Sequence, residues 1–308
     1  MCLLFLCICL REDEEYSGKK EEPHFNGFNA KLCSQSLRQL LVVPSPHTGM
    51  TLIDTHCHLY LPEFDTDREA MLQRAEEAGV KKIFLPNIDS VSVESMNLLS
   101  SQHPESCHPM MGLHPCSVKE NWNEEIQVIG KWLFDTSCKW YGIGETGLDY
   151  YWDKTFIPQQ KENFQKHIDW AKQLRLPIII HSRDALDDCI EMIGLNKDEY
   201  LSGIFHCFSG TAEQAKRIMQ LGFYLGIGGV VTFKNGGLDK VLPEVGLKQV
   251  VLETDSPYLA PVPFRGKRNE SGYLTLVVKK ISELLNLPED EVAKVTTANA
   301  LKVFQLSV

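Results

Sequence analysis

The chain has 308 residues, of which 43% are apolar and 23% charged, and its formal net charge is −10. This length suits one large domain or two ordinary ones, and no apolar run approaches the roughly 18 residues of a membrane-spanning helix. The negative charge argues against a broad basic face that binds long nucleic acid irrespective of sequence, but not against a phosphate substrate held by local cations.

The first 49 residues differ in character from the rest of the chain. An apolar start, MCLLFLCICL, runs directly into the acidic stretch REDEE. It lacks the basic residues and the small-residue cleavage site of a secretory signal. The ten cysteines are scattered without a Cys-x-x-Cys pair, a pattern typical of reduced core residues in the cytoplasm. We therefore expect a cytoplasmic protein in which residues 1–49 are a poorly ordered extension or a misplaced start, and residues 50–308 are the folded domain.

Short apolar runs and helical patterns alternate from residue 50 onward. The runs predict eight buried parallel strands, at 51–55, 81–87, 109–112, 140–144, 177–181, 203–206, 223–227 and 249–254. Apolar residues at helical spacing predict helices at 67–78, 159–174, 212–221, 274–285 and 289–304. The stretch 50–308 is close to the roughly 250 residues of a (β/α)8 barrel. We therefore predict an α/β fold of the TIM-barrel type, in the form seen in metal-dependent hydrolases.

Histidines and carboxylates follow or end several of the predicted strands. Two histidines two residues apart on an extended segment point to the same side. The carboxyl ends of barrel strands converge on one face, so we expect these side chains to meet in one site. In chain order they are His56, His58, Glu145, His181, His206 and Asp255.

Four histidines and two carboxylates with no basic partner for each acid would leave buried charges uncompensated unless cations lie among them. A mixed nitrogen and oxygen set suits Zn²⁺, Mn²⁺, Fe or, less well, Mg²⁺. We expect two divalent metal ions that activate a water, with Asp255 taking up its proton and Glu145 bridging the ions. The remaining ligands divide into His56 and His58, which hold the first ion with Asp255, and His181 and His206, which hold the second.

Six motifs occur in a fixed order between residues 54 and 259, within the stretch 50–308. They are DTHCHL at 54–59, GLHP at 112–115, GETGLDYY at 144–151, HSRDA at 181–185, HCFSG at 206–210 and ETDSPYL at 253–259. Together they resemble the TatD-related metal-dependent hydrolases, often described as TatD deoxyribonucleases. The resemblance implies a TIM barrel with a binuclear metal centre, the same six ligands, and hydrolysis of phosphodiester bonds in DNA. We expect an exonuclease that works in the 3′-to-5′ direction.

Three further residues are predicted to bind substrate. His114 ends the third strand and either contacts a phosphate or orients a ligand. Arg183 follows His181 by two residues and either clamps a phosphate or pairs with a neighbouring aspartate. Arg265 lies in the segment PVPFRGKRN at 261–269, the densest basic patch of the domain, which we expect to form an anion-binding lip. Tyr150 and Tyr151 either belong to the core or offer a ring on which a base can stack.

Two other functions compete with this prediction. The same ligands could hydrolyse amides, lactones or cyclic ureas, because a metal-activated water attacks whichever electrophile is held in place. However, Glu145 stands where amidohydrolase relatives use a carbamylated lysine, which favours the phosphoesterase. A scaffold with purely structural metals is the second alternative, but structural sites are normally closed and four-coordinate. We expect DNA or another phosphoester as the partner, and neither a membrane nor an obligate protein partner.

Overall fold

The structure, a computed structural model, describes residues 49–306. The predictions made for residues 1–48 therefore lie outside the described residues. Within them, eight strands follow one another with parallel pairing. They are β1 (Leu52–Asp54), β2 (Val80–Pro86), β3 (Cys107–Met110), β4 (Ile143–Asp149), β5 (Ile178–Arg183), β6 (Gly203–Phe205), β7 (Tyr224–Ile227) and β8 (Val250–Leu252).

The strands close into a barrel. Ladder hydrogen bonds join neighbouring strands in two sets, each in sequence order. The first set is β1, β2 and β3, and the second is β4, β5, β6, β7 and β8. A parallel bridge between Met111 and Ile143 connects the two sets beside β3 and β4. The amide of Thr55 donates to the carbonyl of Leu252 at 3.0 Å and so joins β1 to β8. The predicted (β/α)8 architecture is confirmed.

Helices connect the strands and cover the barrel. They are α1 (Arg68–Glu77), α2 (Val93–Gln102), α3 (Trp122–Leu133), α4 (Ile157–Leu174), α5 (Leu186–Asn196), α6 (Ala212–Gln220), α7 (Leu238–Val245), α8 (Leu274–Leu285) and α9 (Glu289–Val303). Thr211 caps α6 through a reciprocal pair of hydrogen bonds with Gln214. Within residues 49–306, none of the helices combines the length and apolar character needed to cross a membrane.

The bounds of β4 and β5 differ from the predicted ones. The sequence predicts β4 at 140–144, but the strand continues to Asp149 in register with β5, where Gly147 pairs with His181. This segment contains two glycines and polar side chains, so it lacks the apolar pattern from which the strands were predicted. Backbone pairing does not depend on side-chain polarity, and the strand therefore continues. Gly147 is needed because a Cβ there would lie 2.1 Å from the carbonyl oxygen of His181. Glu145 and His181 therefore lie within their strands and not at the strand ends.

The amino-terminal end of the barrel is closed by α9 and the residues after it. Phe304 stacks on Phe84 of β2, with ring centroids 3.5 Å apart and planes 14° from parallel. Inward-facing residues of the strands, among them Ile53, Ile179 and Val251, form a separate apolar cluster with the end of α9. Because this apolar cluster closes the amino-terminal end, the polar side chains lie at the carboxyl-terminal end of the barrel, where the strands finish.

Candidate metal centre

His56 and His58 lie side by side after β1. Both are buried, and their Nε2 atoms are 3.2 Å apart. Oε2 of Glu145 lies 3.1 Å from Nε2 of His56 and 3.5 Å from Nε2 of His58. The predicted pair therefore shares one carboxylate oxygen, as residues around a common cation would.

The second oxygen of Glu145 faces a different set of histidines. Oε1 lies 3.0 Å from Nδ1 of His181 on β5 and 3.6 Å from Nε2 of His206, which follows β6. The carboxylate thus stands between the histidines of β1 and those of β5 and β6. This is the geometry that a bridging ligand requires.

Asp255 reaches the same cluster from the end of β8, with a left-handed backbone (φ 57°). Its Oδ1 lies 3.6 Å from Nε2 of His58, 3.8 Å from that of His56 and 3.9 Å from that of His206. Its side chain is 16% exposed, whereas that of Glu145 is 3% exposed. Asp255 is therefore the cluster carboxylate that solvent or substrate reaches more easily. All six predicted ligands come together.

His114 also belongs to this cluster by distance. Its Nε2 lies 3.3 Å from Nδ1 of His181 and 3.5 Å from Oε1 of Glu145. Its Nδ1 accepts a hydrogen bond from the amide of Cys116. The sequence predicted a substrate contact here and did not count His114 among the ligands, but His114, Glu145 and His181 lie close enough to hold one ion together.

Two carboxylates outside the predicted set hold the far nitrogens of these histidines. Oδ2 of Asp149 accepts from Nε2 of His181 at 2.9 Å, which turns Nδ1 towards Glu145. Oε1 of Glu253 lies 3.0 Å from Nδ1 of His206 and accepts the amide of Cys207 at 2.6 Å. Neither carboxylate belongs to the six ligands predicted from the sequence.

Cys207 departs from the prediction that the cysteines are core residues, because it is only half-buried. Strand alternation does not apply to it, because β6 ends at Phe205 and Cys207 has a left-handed backbone (φ 46°). Its sulfur lies close to His206 and Glu253. Cys57, by contrast, is fully buried in the core, as predicted.

A buried carboxylate ties the ends of β1 and β8 together. Asp54 accepts hydrogen bonds from the amide of Thr254 at 3.0 Å, from its hydroxyl at 2.6 Å and from the hydroxyl of Ser271 at 2.7 Å. Complete burial, which outweighs these hydrogen bonds, raises the pKa of Asp54 to about 7. The same residue accepts the amide of His56 at 3.3 Å. The amide of Asp255 also donates to the carbonyl of His56 at 2.9 Å, so the two proposed ligands are joined directly at this seam.

The carboxylates of the cluster favour protonation of three of its histidines. Burial lowers the pKa of His58, but hydrogen bonds to Asp255 and Glu145 outweigh it and raise that pKa to about 9. Nearby carboxylates likewise overcome burial and raise the pKa of His181 to about 9 and of His206 to about 10. Burial opposes ionisation of Glu145, yet the surrounding imidazoles hold its pKa well below the usual range.

Divalent cations fit this donor set. The ring nitrogens of His56 and His58 converge at 3.2 Å on the same carboxylate oxygen, and two N–H groups could not both occupy that space. Imidazole nitrogens and carboxylate oxygens are ligands that Zn²⁺, Mn²⁺ and Fe accept. Two groups around Glu145 have donor atoms close enough for one ion each, His56 with His58 and His114 with His181.

The predicted substrate residues lie around this centre in different ways. Arg183, at the end of β5, places its guanidinium 4.1 Å from the ring centroid of Tyr151. Arg265, in the loop after β8, lies over the ring of Phe233 at 4.7 Å. Both residues are on the polypeptide that follows a strand, and so on the same face of the barrel as the metal centre.

Part of the predicted basic lip is neutralised. Arg268 donates from both terminal nitrogens to Asp67, at 2.6 and 2.7 Å. Hydrogen bonds from Arg268 and Arg74, against weak desolvation, lower the pKa of Asp67 to about 2. The ring of Phe264 stacks on Tyr273 at 4.4 Å. The lip therefore has less positive charge available for an anion than the sequence predicted, since Arg268 holds this loop against α1.

A polar cavity of about 310 Å³ opens beside the histidines of β5 and β6. Ser182 and Ser209 line it, together with Asp184, Asp187 and Asp188. Asp187 is paired with Arg217 at 2.5 Å. The cavity lies between the segments that follow β5 and β6, and none of the six predicted ligands lines it.

Comparison with known proteins agrees with this geometry. The family model described as TatD related DNase matches residues 53–305. The chain belongs to this TatD-related family. It is 38% identical over 259 residues to the "uncharacterized metal-dependent hydrolase YabD" of Bacillus subtilis, a match covering 83% of this chain and all of the relative. The chain is therefore a metal-dependent hydrolase.

Two other TatD-related proteins bear on the fold and on the activity. The crystal structure of YjjV, a TatD homologue from Escherichia coli K12, superposes with a TM-score of 0.78 at 30% identity, covering 83% of this chain and 98% of that one. A protein of Pectobacterium parmentieri named "3′-5′ ssDNA/RNA exonuclease TatD" is 28% identical over 83% of this chain and its own full length. These relatives do not favour the amidohydrolase alternative.

Proposed function

We propose that the protein is a divalent-metal-dependent deoxyribonuclease that hydrolyses phosphodiester bonds in DNA from the 3′ end. The observation that carries the proposal is the carboxylate of Glu145, whose two oxygens face separate histidine groups 3.1 and 3.0 Å away. Phosphoryl-transfer sites commonly use two ions about 3.5–4 Å apart. The exonuclease name of the Pectobacterium relative supports the choice of DNA.

The proposed ligand assignment divides the cluster at Glu145. In this assignment His56 and His58 would hold one ion with Asp255, and His181 and His206 would hold the other. Bound divalent cations supply a water of lowered pKa and stabilise negative charge on a phosphoryl oxygen. Asp149 and Glu253 keep the far nitrogens of two of these histidines engaged, which fixes their rings.

Asp255 is the proposed general base. Burial opposes its ionisation, but His206, His58 and His56 outweigh burial and lower its pKa, so the carboxylate is ionised at neutral pH. Its partial exposure brings Oδ1 within reach of an attacking water, whose proton it accepts. His114, Arg183 and Arg265 are proposed to hold phosphates of the DNA chain.

The test is hydrolysis of DNA by the purified full-length protein with added Mn²⁺ or Mg²⁺. Single- and double-stranded oligonucleotides labelled at the 5′ end should shorten progressively from the 3′ end. Glu145→Gln should abolish shortening. Glu244→Gln, which changes a surface carboxylate paired with Lys216, is the matched control and should leave it intact.

Intact oligonucleotides after incubation with each metal would reject the proposed nuclease. Hydrolysis of a lactone or amide under the same conditions would then favour the small-molecule alternative. Fragments from within the strand, without loss from the 3′ end, would retain the phosphodiesterase but reject its exonuclease action.

A further inference from the structure

Two aromatic side chains are exposed on the face of the barrel that carries the metal centre. Tyr151 and Trp152 follow β4 and are 48% and 37% exposed. The other large aromatic side chains exposed in residues 49–306, Phe134 and Tyr200, follow α3 and α5. Segments that follow helices lead into the next strand at the opposite end of the barrel. Tyr151 and Trp152 therefore lie on the face of the metal centre, whereas Phe134 and Tyr200 lie at the opposite end of the barrel.

A guanidinium group completes this surface. Arg183 lies 4.1 Å from the ring centroid of Tyr151 and 5.8 Å from that of Trp152. The two rings are 4.9 Å apart and nearly perpendicular, at 87°. We call Tyr151, Trp152 and Arg183 the aromatic platform. It combines two π-faces with one positive charge on a surface of about the size of a nucleotide.

The platform is held in place by the backbone beneath it. Oδ1 of Asp149 accepts the amides of Tyr151 and Trp152, both at 3.0 Å. Lys119 donates to Asp153 at 2.7 Å and fixes the next residue of the loop. A surface organised before binding loses little conformational entropy when a ligand arrives.

The same carboxylate couples the platform to the metal centre. Oδ2 of Asp149 accepts from Nε2 of His181, one of the proposed ligands. The backbone of Arg183 is connected as well, because its carbonyl accepts the amide of Tyr150 at 2.9 Å. Asp149 therefore links the backbone of the platform directly to His181 of β5.

We propose that the aromatic platform binds one unpaired nucleobase of the substrate, next to the bond that is cleaved. Every base has a π-face, so stacking on tyrosine and tryptophan tolerates all four bases. Arg183 adds attraction for the adjoining phosphate. Two rings bordered by the Lys119–Asp153 ion pair make too small an apolar surface for a stable protein interface. This site rests on the proposed nuclease function, which it extends to a specific contact.

The test compares two fluorescein-labelled pentanucleotides with the same phosphates, one carrying thymines and one abasic throughout. Their affinities for the full-length protein are measured by fluorescence anisotropy in EDTA, so no strand is cleaved. The wild type should prefer the strand with bases. The double variant Tyr151→Ala/Trp152→Ala should bind that strand roughly 5- to 150-fold more weakly and bind the abasic strand as before.

Two variants sharpen the result. Phe134→Ala removes an aromatic side chain of similar exposure, 42%, from the opposite end of the barrel and should leave both affinities unchanged. Tyr151→Phe/Trp152→Phe retains both rings and should preserve the preference for bases. Circular dichroism checks that each variant is folded.

The proposal is overturned if the double variant binds the thymine strand as tightly as the wild type does, or loses affinity for both strands equally. Failure of the wild type to distinguish the strands, including no binding of either at millimolar protein, overturns it as well. The nuclease assay is independent. A base preference that depends on the rings, without DNA cleavage by the metal-loaded protein, retains the platform and rejects the hydrolysis.

Discussion

Oε1 of Glu253 lies 3.0 Å from Nδ1 of His206, so a carboxylate that is not a proposed ligand is paired with a histidine that is. The other end of this imidazole, Nε2, points towards Glu145 and Asp255. A histidine whose far nitrogen is engaged presents the near one with a fixed ring angle and higher basicity. Glu253 is therefore expected to control metal binding without touching the ion.

Glu253→Gln should lower metal affinity or activity about 10- to 100-fold, because the amide keeps the shape but removes the charge. Isothermal titration with Mn²⁺ and the rate of DNA hydrolysis measure the two effects. Gly226→Ala offers a second check that does not change residue 253 itself, since a Cβ at position 226 would lie 2.1 Å from Oε2 of Glu253 and displace its carboxylate. Wild-type metal affinity in both variants would contradict this role.

Asp255→Asn should reduce kcat for DNA hydrolysis by about 10²- to 10⁴-fold, because an amide cannot accept the proton that the proposed mechanism assigns to Asp255. The rate is measured at metal concentrations that saturate the variant, with occupancy checked by mass spectrometry of the metal content. A variant that loses thermal stability but keeps its turnover would instead support a structural role for the metals.

Arg265 and Arg268 should respond differently to replacement by glutamine, although the sequence places both in the same basic segment. Arg265→Gln should raise KM for DNA about tenfold through loss of a phosphate contact, with a weaker dependence of KM on salt. Arg268 is bound to Asp67 at 2.6 Å, so Arg268→Gln should leave KM unchanged and lower the free energy of unfolding by about 1 kcal/mol. Equal increases in KM for the two variants would instead show that both arginines contact DNA, as the predicted anion-binding lip requires.

His167 on α4 should make the stability of the fold depend on pH. It donates from Nδ1 to the carbonyl of Asn163 at 2.8 Å and accepts the amide of Leu113 at Nε2 at 3.0 Å, so it is buried as the neutral form. Burial lowers its pKa to about 4 from 6.5. The unfolded chain therefore binds the extra proton first, and His167 removes stability as the pH falls from about 6.5 to 4.

Chemical denaturation of wild type and His167→Gln measures this effect. At pH 7 the variant should be less stable by about 1–3 kcal/mol, because a buried hydrogen bond is lost. The difference should shrink by up to ~1.4 kcal/mol per pH unit below pH 6. A difference that stays constant between pH 7 and pH 4.5 would show that His167 has the same pKa in both states.

Local patterns were enough to predict the barrel and the convergence of the six proposed ligands. His56 and His58 stand next to a short apolar run, and alternation alone puts them on one side of the chain. The length of β4 was not predictable in this way, because its second half is polar and glycine-rich and owes its pairing to β5.

The partners of the ligands were harder to predict, because they depend on contacts between distant segments. Glu253 meets His206 only after β6, β7 and β8 have taken their register. Arg268 looked like a free cation in the sequence, yet it pairs with Asp67, which is 201 residues away along the chain. The spacing of residues along the sequence does not predict contacts between segments so far apart.

The bonds that Asp54 makes to Thr254 join residues 200 positions apart, at the seam where β1 meets β8. His56 and His58 lie on one side of this seam and Asp255 on the other, so the ion site proposed for them would not exist until the first and last strands have met. Metal uptake during folding would then report that the barrel has closed, and its binding free energy would favour that closure. The cell's supply of the ion would thereby influence how much newly made protein reaches the native state.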